Sequence, residues 1–122
     1  VWEDADLDAA AVAVADGVCL TAGQRCNATS RVIVHQAVAG DFLDRLLAAL
    51  DGFEPSDPLD ESTRLGPVIS AAAVERYRDV TRVAAGTWVR EASVPESVGG
   101  KRGHFVRPAV MRAENSAALD AS

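Results

Sequence analysis

A change of hydrophobic period within the first 35 residues constrains this chain more than any other feature. Leu7, Ala11, Val14 and Val18 recur at the spacing that lays side chains along one face of a helix. The pattern then stops, and Val32, Ile33 and Val34 follow as consecutive β-branched residues. Such a run suits a strand buried on both faces, as in a parallel sheet. Helix and strand therefore alternate, and that points to an α/β layered fold.

The rest of the chain extends the pattern. A first helix is expected over residues 6–18, with the Asp4 or Asp6 carboxylate capping its free amides. The strand is expected over 31–35. A second helix over 40–50 would put Phe42, Leu43, Leu46, Leu47 and Leu50 on one face. Residues 51–65, with Pro55 and Pro58, read as a loop. A third helix over 70–84, capped by Ser70, would turn Val74, Tyr77, Thr81 and Ala84 inward. Residues 87–91 and 105–111 read as strands, with Pro108 restricting the second to an edge or bulge. The Gly- and Ser-rich stretch 93–103 between them reads as a loop. Residues 114–122 carry no periodic pattern and read as a frayed tail.

Composition narrows the functional classes. The net charge of −6 comes without a block of like charge, and basic residues often stand beside acids, as at Glu75-Arg76 and Arg90-Glu91. That argues against nucleic acid and against an anionic membrane surface as partners. The longest apolar run, residues 9–15, is far too short to span a bilayer. No basic stretch followed by an apolar one marks a signal peptide, and the chain starts at Val1 rather than Met, which suggests an internal piece of a longer protein. Two cysteines, Cys19 and Cys26, are too few for a disulfide scaffold and fit a reduced, cytoplasmic setting. His35 and His104 lie far apart in no metal-ligand pattern, so no metal is expected.

Cys26 is the candidate nucleophile. It follows Thr21-Ala22-Gly23-Gln24-Arg25 on a turn between the first helix and the expected strand, where active-site groups often sit. Gly23 frees the backbone, Arg25 brings a positive charge, and turn amides stabilise an anion; each favours the reactive thiolate. Free cysteines also commonly just pack, and Cys19, near the end of an apolar helix, fits that description. A cysteine hydrolase would need a histidine beside Cys26. His35, at the far end of the expected strand, reads as structural. Gly99-Gly100-Lys101-Arg102-Gly103 follows no convincing strand and opens no helix, so it is not read as a phosphate loop.

Gly23-Gln24-Arg25-Cys26, followed by Ser30-Arg31-Val32-Ile33-Val34-His35, resembles the active-site cysteine region of the aldehyde dehydrogenase superfamily. Glu3-Asp4-Ala5-Asp6-Leu7-Asp8 upstream is similar to the acidic helix start of that family. Asp57-Pro58-Leu59-Asp60, Leu65-Gly66-Pro67-Val68-Ile69-Ser70 and Gly103-His104-Phe105-Val106-Arg107-Pro108 resemble further family segments in the right order. The matches cover most of residues 1–111.

The resemblance implies a partial catalytic domain over residues 1–113, with an open, mostly parallel sheet and flanking helices. It implies that Cys26 attacks a small-molecule aldehyde to give a thiohemiacetal whose oxyanion is held by hydrogen-bond donors. Hydride then passes to NAD or NADP, and a glutamate-activated water hydrolyses the thioester. The base, the phosphate loop and the oxyanion-hole asparagine belong upstream of Val1 in that family, and a ribose-contacting glutamate downstream of Ser122. The cofactor-binding domain is therefore expected to be absent, and the chain alone is expected to be inactive. Arg76 falls near the family's adenosine end but reads as a solvated side chain. Gln24-Arg25-Cys26 is similar to the semialdehyde-oxidising branches, and Arg25 would either face an anionic substrate or point into the scaffold. The parent is expected to form homo-oligomers. The competing reading is a non-catalytic remnant that binds a partner through exposed sheet edges.

Overall fold

The structure is a computed structural model, and it describes residues 1–113. The chain divides into two compact units, Val1–Glu54 and Pro55–Ser122.

The first unit is built on two helices that pack together, α1 (Leu7–Cys19) and α2 (Ala39–Leu50). Asp6 caps α1 as expected, its carboxylate accepting from the Ala9 amide at 3.0 Å. The buried stripe of α1 is Ala11, Ala15 and Cys19, so it shares Ala11 with the expected face but is turned from Leu7, Val14 and Val18, which are half-buried. Bulk on the partner helix accounts for the turn. Phe42, Leu46 and Leu50 are the buried face of α2, and small side chains on α1 let the two backbones approach. Phe53 and Leu50 are each only 1% exposed, and burying a side chain of that size contributes about 2–3 kcal/mol.

The expected buried strand over 31–35 is a correction. These residues are in no strand among the described residues, and Ile33 is 85% exposed. A two-sided strand needs a neighbouring backbone along its edge and layers on its faces. Here the backbone beside it is that of Val1, whose ammonium donates to the Ile33 carbonyl at 2.7 Å and whose carbonyl accepts from the His35 amide at 2.9 Å.

In the second unit, α3 (Ala71–Val83) starts where expected, with the Ser70 hydroxyl accepting from the Ala73 amide at 3.2 Å. Val74 is buried, and Tyr77 and Thr81 are half-buried on the inward face. β1 (Thr87–Arg90) pairs antiparallel with a short strand, Val110–Arg112, and the register shifts between Trp88 and Arg90. That partner starts later than the expected strand over 105–111 because Pro108 has no amide to give a ladder. The expected loop 93–103 holds a small hairpin, β2 (Ser97–Val98) and β3 (Lys101–Arg102), so the Val110–Arg112 strand is β4. Gly99 and Gly100, at φ 57° and 76°, make its two-residue turn, and a Gly-Gly pair is a hairpin signal. The described ladders are antiparallel, and the parallel pairing among the described residues is a single bridge, Pro55 to Leu65. The α/β character stands, while the open, mostly parallel sheet is not formed among the described residues.

Side chains tie the loops of this unit to α3. The Tyr77 hydroxyl donates to the Arg107 carbonyl at 2.7 Å, and the Arg107 amide donates to the Ser93 carbonyl at 2.9 Å. Burial pushes the Tyr77 phenol up from its ordinary value, so it remains a donor over a wider pH range. Leu65, Val68, Val74 and Phe105 are among the buried apolar residues here. Gly103 makes room for Phe105, because a Cβ there would stand 2.6 Å from the ring. The tail over 114–122 lies outside the described residues.

Candidate active site around Cys26

The segment that carries Cys26 begins as α1 runs out. The Leu20 amide closes the last helical turn on the Asp16 carbonyl, and the chain then enters left-handed conformations at Thr21, Ala22 and Gly23 (φ 56°, 53° and 68°). Gly23 is required twice over, by its φ and because a Cβ would meet the Val18 carbonyl oxygen at 3.0 Å. Thr21 and Ala22 have no such freedom, and an L-residue held there costs about 1–2 kcal/mol.

Hydrogen bonds centred on Thr21 hold this geometry. Its carbonyl accepts from the Gln24 amide at 3.1 Å and from Gln24 Nε2 at 3.0 Å. Its hydroxyl accepts from Arg25 Nε at 3.0 Å. A β-turn follows, closed by the Ala28 amide on the Arg25 carbonyl at 3.1 Å, with Cys26 and Asn27 at its centre. The exit is pinned to α1: the Thr29 amide donates to the Gly17 carbonyl at 2.9 Å, and a Cβ on Gly17 would collide with the Thr29 hydroxyl.

Cys26 is therefore exposed, unbridged and at the apex of a braced turn, whereas Cys19 is buried in the helix packing. A thiol so placed can reach an electrophile from solvent. The Gln24 and Ala28 amides are consumed within the turn, which limits the anion-stabilising amides the sequence suggested. Arg25 is next to Cys26 and lines a cavity of about 90 Å³ together with Asp16, Gly17, Leu20, Asn27 and Ala28. Ligand pockets run to roughly 300–1,000 Å³. This one is too small for a dinucleotide, so the described residues around Cys26 do not fit NAD or NADP by themselves.

The other sequence candidates are elsewhere. His35 starts a short 3₁₀ turn, its Nδ1 accepting from the Ala37 amide at 3.3 Å, and its ring is 4.5 Å from that of Trp2. Among the described residues its side chain meets Trp2, Glu3 and Ala37 rather than Cys26. Arg76 is exposed on α3. Gly99 and Gly100 turn a hairpin and open no helix. A cavity of about 540 Å³ in the second unit, with Tyr77, Arg78, Arg82, Trp88 and Glu91 among its walls, had no sequence signal beyond two arginines one helical turn apart.

A sequence model of the aldehyde dehydrogenase family matches residues 1–119. The chain belongs to the aldehyde dehydrogenase family. It is 39% identical over 114 residues to a chloroplastic betaine aldehyde dehydrogenase from Amaranthus hypochondriacus, covering 91% of this chain and 22% of that protein. It is 40% identical over 114 residues to a peroxisomal aminoaldehyde dehydrogenase from Malus domestica, with the same coverage of each. Among solved structures, a double mutant of the Staphylococcus aureus betaine aldehyde dehydrogenase, in complex with NAD+, superposes with a TM-score of 0.80 at 28% identity, over 95% of this chain and 24% of that one. The chain thus spans 22% of the length of these curated relatives. Among the described residues, no helix of this aldehyde dehydrogenase chain is long and apolar enough to cross a membrane.

Proposed function

We propose that this chain is the nucleophile-bearing part, residues 1–113, of an enzyme that oxidises an aldehyde to a carboxylic acid. Cys26 is the nucleophile. Its thiolate sulfur adds to the carbonyl carbon, a C–S bond forms, and the carbonyl electrons move to oxygen to leave a thiohemiacetal oxyanion. The observation that carries this reading is the exposed Cys26 at the apex of a braced turn in a chain of this family. NAD or NADP, the cofactor implied by the family, is bound in this reading by segments other than those around Cys26. The 122-residue chain alone is inactive on the same grounds, since positioning of partners supplies a large part of catalysis. The setting is a reduced compartment such as the cytosol, in keeping with two free cysteines. The complete protein works as a homo-oligomer.

Two observations bear on the substrate. Arg25 beside Cys26 favours an aldehyde that carries a carboxylate, because guanidinium grips that group bidentately. The relatives named for betaine aldehyde and aminoaldehydes favour a cationic one. The competing reading is a non-catalytic remnant that binds a partner through exposed backbone.

The test is aldehyde-dependent reduction of NAD+ or NADP+ by the complete protein, with succinic semialdehyde and betaine aldehyde compared. Cys26→Ala is expected to cut kcat about a thousandfold or more, as loss of a covalent nucleophile does. Full activity in that variant removes Cys26 from the mechanism. A wild-type protein with no activity on any aldehyde supports the interaction module instead.

A further inference from the structure

The cavity of about 540 Å³ in the second unit has the size of a small-molecule site, roughly 300–1,000 Å³. Its walls come from α3, β1 and the residues just past β1, and they differ in kind. Arg78 and Arg82, one helical turn apart on α3, are cationic. Glu91, next after β1, is anionic. Trp88, Tyr77 and Val94 are half-buried and supply apolar surface. The Tyr77 hydroxyl is committed to the Arg107 carbonyl, so its ring is what remains for the cavity.

Opposite charges line this space without closing on one another. Arg78 and Arg82 pair with Glu75 and Asp79 on their own helix, and neither of those carboxylates is on the cavity wall. Among the described residues, Glu91 pairs with neither arginine. The pairs on α3 are exposed and engage Arg78 Nη1 and Arg82 Nη2, which leaves further N–H donors on each guanidinium. Exposed pairs of this kind hold weakly, so a ligand carboxylate can share the same arginines. A ligand suited to every wall carries a carboxylate, an ammonium group and a flat apolar body. An anion without the ammonium would face Glu91 unpaired, and an amine without the carboxylate would face two arginines.

We propose that this cavity binds a free aromatic amino acid, with its carboxylate on Arg78 and Arg82, its ammonium group on Glu91 and its ring against Trp88 and Tyr77. The proposal does not depend on the role of Cys26.

The experiment titrates the complete protein by calorimetry with L-phenylalanine, with 3-phenylpropionate, which lacks the ammonium group, and with phenethylamine, which lacks the carboxylate. Phenylalanine is expected to bind about tenfold more tightly than either, the worth of one charge-assisted contact. Glu91→Gln is expected to weaken phenylalanine about tenfold without weakening 3-phenylpropionate. The double variant Arg78→Gln with Arg82→Gln is expected to weaken phenylalanine by about as much without weakening phenethylamine. These side chains are exposed, so the fold tolerates both changes. No saturable binding at about 10 mM phenylalanine overturns the proposal. Equal affinity for phenylalanine and 3-phenylpropionate, or for phenylalanine and phenethylamine, also overturns it, because one charged wall would then play no part. Phenylalanine binding that either variant leaves unchanged overturns it as well, since the ligand would then be held without that wall.

Discussion

Two turns among the described residues carry consecutive residues through positive φ, and they do so with different residues. Gly99 and Gly100, at φ 57° and 76°, close the β2–β3 hairpin without a Cβ to collide with the carbonyl. Thr21 and Ala22, at 56° and 53°, lead toward Cys26 and do carry one. The hairpin needs no side chain to keep its shape. The nucleophile turn keeps its shape through the Thr21 bonds to Gln24 and Arg25 and the anchor of Thr29 on Gly17. Strained backbone persists where the surroundings over-determine it, and such places gather at functional sites. The contrast separates a turn that only reverses the chain from one that also aims side chains.

The strongest way to break the contrast is at the anchor. Gly17→Ala puts a methyl group against the Thr29 side chain, and overpacking of that kind costs about 1–3 kcal/mol. The urea midpoint should fall, and Cys26 alkylation in folded protein should change with it. A loss of stability with unaltered Cys26 reactivity would uncouple the anchor from the turn. On the other side, Gly100→Ala is expected to cost about 1–2 kcal/mol, the left-handed penalty, and to leave Cys26 alkylation untouched. A nearby methyl is not the reason, since nothing lies within 4 Å of a Cβ built there.

The opposite sign is expected at Ala22. Ala22→Gly relieves about 1–2 kcal/mol of left-handed strain. It adds unfolded-chain entropy worth about 0.4–1 kcal/mol. The net is a small rise in the thermal midpoint. A clear fall would mean that the run before Cys26 is not strained as its dihedrals imply. The smallest effect belongs to the hairpin's salt contact. The Lys101 ammonium donates to the Asp57 carboxylate and, with the Leu59 amide, holds it below its ordinary value of 3.8. A lowered folded value means that the contribution is present above about pH 3.8 and is lost as pH falls through the folded value. Asp57→Asn should remove that acid-side slope from a stability profile, and salt should flatten it in the parent, because the pair is exposed. A profile identical in parent and variant would show that the pair does nothing for the hairpin.

The three helices were legible because their signals are local. Asp6 and Ser70 cap α1 and α3 where the sequence puts them, and Phe42, Leu46 and Leu50 repeat on one face of α2. The turn at Cys26 was legible in outline from Gly23 and Arg25, but not the bonds that brace it, since nothing in the sequence tells a Thr21 hydroxyl to turn toward Arg25. The 31–35 segment misled for the complementary reason. Three β-branched residues favour an extended backbone, yet the segment is in no strand, because ladder partners come from other parts of a chain.

The amino-acid sequence by itself determined the membership in the aldehyde dehydrogenase family, the identity of the candidate nucleophile and the positions of the helices. These depend on residue identity and spacing along the chain, which patterns and caps report directly. The tertiary structure alone decided that Ala15 and Cys19 join Ala11 in the buried stripe in place of Leu7, Val14 and Val18, and that Cys26 stands exposed. It also decided that Arg25 is held by Thr21. Each of these depends on which atoms meet in space, and that is fixed by the bulk of the partner helix and by hydrogen bonds closed across a folded turn.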